Sequence, residues 1–142
     1  MTKINFYRIN GGREDALKLA CQLGEKAAQQ GMSVLFHTDR NTAEAFSQLL
    51  WSFRSSAFIP HSLGSDSGDA IAISSEDEPG EHHGLLISLK PETPKWFSRF
   101  EKAIEIVYDD QQVITSKREA YRHYKSRGYP LQYHDLSKQP VH

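Results

Sequence analysis

Residues 3–37 read KINFYRINGGREDALKLACQLGEKAAQQGMSVLFH, and the fold turns on their rhythm. Residues 3–9 mix β-branched and aromatic side chains in a short run, which predicts a strand. Gly11-Gly12 turns the chain, and Glu14-Asp15 place negative charge where an opening helix favours it. Ala16, Leu17, Ala20, Leu23, Gly24, Ala27 and Ala28 then recur at helical spacing, and Gly31 supplies the stop. Residues 32–37 form a second apolar strand. Beyond it, Asn41 with Glu44 three positions later reads as a capping box for a helix carrying Phe46, Leu49 and Leu50. Strand, helix, strand, helix is the βαβ rhythm of a mostly parallel sheet with helices on both faces. The predicted class is α/β, a three-layer α/β/α domain of Rossmann-like order.

The remaining chain extends this pattern. Residues 62–69, rich in Gly, Ser and Asp, read as a loop, and 70–74 as a short strand. Residues 76–83 contain Pro79-Gly80 and read as an exposed turn; 85–89 is a buried strand. Pro91 and Pro94 restrict the next segment, with a short helix over 96–100. Residues 103–107 are a further strand or the continuation of a helix begun at Pro94. Asp109-Asp110 open a helix that runs to Arg127 and ends at Gly128. Residues 129–136 add an edge strand, and 137–142 fray. This makes one domain, 1–136, with a short tail.

Bulk properties bound the function. A chain of 142 residues with 38% hydrophobic and 25% charged residues suits a single globular domain. A net charge of −1 argues against gripping nucleic-acid phosphates over the whole surface. The single cysteine, Cys21, excludes an internal disulfide and any Cys-rich zinc site, and within an alanine-rich helix it reads as small core filler. No apolar run reaches membrane-span length and no signal-peptide core opens the chain, so no membrane association and a cytoplasmic location are expected.

Catalytic signatures are missing from the sequence. The first strand–helix turn, Asn10-Gly11-Gly12-Arg13, matches neither Gly-x-Gly-x-x-Gly nor the phosphate loop ending in Gly-Lys-Ser/Thr. His82-His83 are adjacent and lack the spacing of a metal pair, and Asp66 and Asp69 read as turn residues. His61, after Pro60, suits backbone hydrogen bonding better than base chemistry. No Gly-x-Ser-x-Gly elbow occurs. The expectation is no catalytic residue, no cofactor and no metal.

Two stretches are instead suited to gripping other chains. Residues 46–61 place Trp51, Phe53 and Phe58 where a helix runs out into a loop, and such rings dominate protein interfaces when a partner buries them. In the last helix, Lys117, Arg118, Arg122, Lys125 and Arg127 crowd the second half. Bases near a helix end complement its dipole without any ligand. Arg118 and Tyr121 are also neighbours at i, i+3, and a guanidinium beside a ring can hold a carboxylate next to an inserted apolar side chain.

Asn-Phe-Tyr in the first strand, Leu-Trp ahead of Phe-Ile-Pro-His, Leu-Ile-Ser-Leu, and Lys-Arg-Glu-Ala-Tyr-Arg-His-Tyr before Arg-Gly-Tyr together resemble the chi subunit of bacterial DNA polymerase III. The resemblance runs from Phe6 to about Tyr129. It implies a helicase-like topology without a nucleotide site. It also implies a non-enzymatic accessory subunit of the clamp-loader assembly, at work at the replication fork. The implied partners are the psi subunit and the carboxy-terminal tail of single-stranded-DNA-binding protein, with DNA contacted mainly indirectly. A repair helicase on the psi face stays open. By this resemblance Trp51 and Phe58 match the aromatic anchors for psi, braced by Ile59, Pro60 and His61. Arg118 matches the tail-binding arginine, with Tyr121 and Val107 as pocket wall. The pattern often carries a lysine one turn before that arginine; here the position is Ile114, and Lys117 is the nearby substitute for the second charge. The alternatives from other classes are an α/β enzyme and a direct nucleic-acid-binding protein of unknown specificity.

Overall fold

The strands β1 (Lys3–Arg8), β2 (Val34–His37), β3 (His61–Leu63), β4 (Ile71–Ser74), β5 (Leu85–Ser88), β6 (Lys102–Val107) and β7 (Leu131–Asp135) form one sheet ordered β3-β4-β2-β5-β6-β1-β7. All six pairings are parallel. The helices are α1 (Arg13–Gln29), α2 (Arg40–Ser52) and α3 (Gln111–Ser126). This is a computed structural model, and it describes residues 1–52, 61–63, 71–77, 80 and 82–137.

Handedness sorts the helices into layers. The crossovers β1–α1–β2 and β2–α2–β3 both move toward the β3 edge, whereas β6–α3–β7 moves toward the β7 edge. Right-handed crossovers running in opposite directions lie on opposite faces. Accordingly α1 and α2 cover one face, where Ala16, Ala20, Cys21 and Phe46 pack with Val34, Phe36, Ile73 and Ile87. The other face carries α3 and the 3-10 turn Phe97–Arg99, with Phe97, Phe100 and Tyr124 packed on Ile4, Phe6, Leu35 and Leu86.

Local chemistry explains most boundaries. α1 follows the small-residue stripe, and Gly24 lies so close to β2 that a Cβ there would overlap the Phe36 ring. At the end of α3 the chain turns through Gly128 at φ 80°, a backbone region that favours glycine. The predicted cap of α2 is displaced. Asp39 accepts from the Thr42 amide at 2.8 Å, and Ala43 N–H bonds the Asp39 carbonyl at 3.0 Å, so Asn41 already lies inside the first turn. Residues 62 and 63, read as loop, belong to β3, and residues 102–107 are strand rather than the continuation of a helix from Pro94. The 76–83 segment is not wholly exposed, since His82 is buried. Buried Cys21 has its thiol pushed up to about 12, first by burial and then by Glu25, which suits core filler. Among the described residues no helix is long and apolar enough to cross a membrane.

Candidate functional site

α3 begins at Asp110, whose side chain accepts from the Val113 amide at 3.1 Å. Its buried stripe is Val113, Lys117 and Tyr124, and that choice sets the rotation of the whole helix. The adjoining stripe, Ile114, Arg118, Tyr121, Arg122 and Lys125, then faces a gap between the helix and the β1–β7 edge of the sheet. The gap is a cleft of about 620 Å³. Phe6, Val107 and the rings of Tyr121 and Tyr133 line its apolar part. Phe6 stands edge-on to Tyr121, centroids 5.3 Å apart, and stacks on Tyr133 at 6.4 Å. Tyr121 and Tyr133 meet edge-on at 6.1 Å. Tyr133 remains 51% exposed, so a wide ring face stays open to an incoming group.

The lining is one-signed. Arg8, Lys117, Arg118, Arg122 and Lys125 all border the cleft, and no Asp or Glu does. Arg118, Arg122 and Lys125 are exposed and have no ion-pair partner among the described residues. Lys117 behaves differently from the expectation that it supplies the second charge. It is 2% exposed, and its Nζ donates to Glu105 Oε2 at 2.9 Å and to the Lys90 carbonyl at 2.8 Å. Its ammonium is thus spent inside the protein, and only its stem borders the cleft. Ile114 brings apolar surface and no charge.

Beneath α3 lies a second polar feature. Register aligns Ser74, His37, Ser88 and Glu105 in one row across β4, β2, β5 and β6, on the same face as Phe6. All four are buried. Thr93 Oγ1 donates to Glu105 Oε2 at 3.2 Å. His37 Nε2 meets the Glu76 carbonyl at 2.9 Å; a carbonyl only accepts, so this nitrogen carries the proton. Burial lowers the His37 pKa, partly opposed by that bond, and burial followed by His83 lowers that of His82. Burial, reinforced by Glu105, pushes the Tyr124 phenol well up.

Sequence reading and structure meet on one side of the molecule. Val107, Ile114, Lys117, Arg118 and Tyr121, five residues predicted as one site, do border a single cleft. Phe6, Arg8, Gln111 and Tyr133 join them unforeseen, and Arg122 and Lys125, which the sequence marks only as cations near a helix end, find their place there. The i, i+2 spacing of Phe6 and Arg8 on one strand face, and the i, i+4, i+7 spacing from Arg118 to Arg122 and Lys125, were the available signals. Of the predicted aromatic face, Trp51 falls in the last turn of α2 and His61 opens β3. Phe58, Ile59 and Pro60 lie outside the described residues. Among the described residues no group of three His, Cys, Asp or Glu could hold a metal ion.

The fold and this cleft define a Rossmann-like α/β protein with a cationic, ring-walled groove and no glycine-rich phosphate loop. A family profile described as DNA polymerase III chi subunit, HolC, matches residues 1–132. A Pseudomonas aeruginosa protein described as DNA polymerase III subunit chi is 39% identical over 141 residues, spanning 97% of this chain and 99% of its own length. A Haemophilus influenzae protein of the same description is 27% identical over 122 residues, 80% of this chain and 83% of its own. The chain belongs to the DNA polymerase III chi subunit family, and its context is the replicative polymerase.

Proposed function

We propose that this protein is a non-catalytic adaptor of the polymerase III holoenzyme, joining the clamp loader, through psi, to single-stranded-DNA-binding protein in the cytoplasm at the replication fork. The carrying observation is the cleft itself, with Arg118 and Tyr121 on one wall, an open ring face opposite, and Arg118, Arg122 and Lys125 without an ion-pair partner among the described residues. An acidic-aromatic tail fits it. A terminal carboxylate on Arg118 is a charge-assisted bond of about 1.5–3 kcal/mol when partly desolvated. Fully exposed charges alone contribute only about 0–1 kcal/mol, so the tail's ring must also pack, against the exposed face of Tyr133. Val107 and Phe6 would form the floor.

Arg118→Ala is expected to weaken binding of a tail peptide about tenfold or more while the fold stays intact. Calorimetry showing unchanged affinity would remove this site from the reading. Psi is assigned to the aromatic end of α2, with Trp51, Phe58, Ile59, Pro60 and His61, and a repair helicase could share that face. Trp51→Ala should abolish co-purification with psi; a surviving pair would make Trp51 a packing residue only. The one-signed cleft also suits phosphates. That rival requires affinity for bare oligonucleotides falling steeply with salt, whereas the adaptor binds single strands mainly through the coating protein.

A further inference from the structure

We propose that Arg8 is the second cationic contact of this cleft and selects peptides carrying an acidic side chain ahead of their terminal carboxylate. This rests on the tail-binding reading and assigns it a residue from the opposite wall. Arg8 ends β1, in register with Val107 of β6, and emerges on the same sheet face as Phe6 two positions earlier. Arg118 approaches from α3 and Arg8 from the sheet, so a chain lying between them meets charge on both sides.

Three observations distinguish Arg8 from the other cations. Its guanidinium is pinned: Nη2 donates to Asp109 Oδ1 at 2.9 Å, and the second oxygen of that carboxylate takes the Gly11 amide at 3.0 Å. The Gly11 bond and then Arg8 hold the Asp109 carboxyl below its usual range, so the anchor remains ionised at neutral pH. The side chain is only 23% exposed and already held in place, whereas the exposed Arg122 and Lys125 would each lose more side-chain freedom on binding. Its Nη1 is covered by protein and has no hydrogen-bond acceptor. The rest of the side chain borders the cleft, and a carboxylate is the best-matched acceptor for a guanidinium fork. Neither neighbour competes for the role, because Ile114 is uncharged and the Lys117 ammonium is buried against Glu105, whereas Arg8 stays partly exposed beside Asp109.

The test is a cycle between protein and peptide. Titration calorimetry would use a short synthetic peptide with an aspartate ahead of a C-terminal phenylalanine bearing a free carboxylate, and its Asp→Asn counterpart. Arg8→Met should weaken binding of the aspartate peptide about tenfold and leave the asparagine peptide almost unchanged. Arg8→Lys, which keeps the charge and loses the fork, should fall between wild type and Arg8→Met. Arg118→Ala should weaken both peptides. If Arg8→Met binds both peptides as wild type does, or loses both equally, Arg8 makes no selective contact and the proposal falls while the tail-binding reading stands. If the wild-type protein binds neither peptide, the tail-binding reading itself falls, and this proposal with it.

Discussion

The two faces of the sheet are built on opposite principles. Toward α1 and α2 the contacts are small: Ala16, Ala20, Cys21, Gly24 and Ala27 let the helix settle onto β2, and Phe36 and Phe46 fill what remains, ring centroids 4.7 Å apart. Toward α3 the contacts are large and mixed. Phe6, Phe97, Tyr124 and Tyr129 form an edge-on ring cluster above a row of buried polar groups. Small residues bring α1 down onto β2, whereas the ring-packed face keeps an opening along the flank of α3. The open cleft accompanies the second kind of packing, and the close approach of Gly24 to Phe36 the first.

That contrast can be broken most forcefully at Lys117. Glu105 is 0% exposed, so removing its partner leaves a buried carboxylate uncompensated, which costs about 3–5 kcal/mol. Lys117→Met should therefore lower the urea midpoint sharply, and adding Glu105→Leu should restore much of the loss. A variant of native stability would show that the polar row contributes nothing to holding α3.

On the opposite face the sensitive point is a hydrogen atom. Gly24→Ala introduces a methyl into the Phe36 ring, an overpacking that costs about 1–3 kcal/mol. Equilibrium unfolding checks it. If the variant gains stability from its helix propensity, the α1 face is looser than its contacts imply.

The smallest effect is graded by pH and involves His37 of the polar row together with buried His82. Burial lowers the pKa of His37 and His82 below the ordinary value near 6.5. The unfolded chain therefore takes up protons at a higher pH than the folded one. Stability is complete above about pH 6.5 and declines below it, by at most about 1.4 kcal/mol per pH unit for each histidine. Thermal melts between pH 7.5 and 5.5 should show the decline, and His37→Gln should flatten it. A slope unchanged in that variant would remove His37 from the account.

The fold was legible because its determinants are local. The alanine stripe of α1, Asp110 ahead of α3, Gly128 behind it and the apolar run of β5 each act within one element. The cap of α2 was misread because two polar residues compete there; Asp39 wins by standing immediately before the first helical residue. Half of the cleft was legible for the same reason, since Arg118 and Tyr121 share one helix face. The other half was hidden because Phe6 and Tyr133 meet only through the register of β1 with β7, across most of the chain. Lys117 misled because lysine ordinarily reads as solvent-facing, yet its spacing from Val113 and Tyr124 puts it on the buried stripe.

The position of β1 has a consequence for how the molecule is made. Lys3 pairs with Lys102 and Ile4 with Leu131, so this strand leaves the ribosome roughly a hundred residues before either neighbour exists. Until then Ile4 and Phe6 travel on an unzipped nascent segment, a hazard for mispairing with other emerging chains. Closure must await late synthesis and proceed through distant contacts, which are slow to form. The groove bordered by Phe6 and Tyr133 is accordingly among the last parts of the protein to come into being.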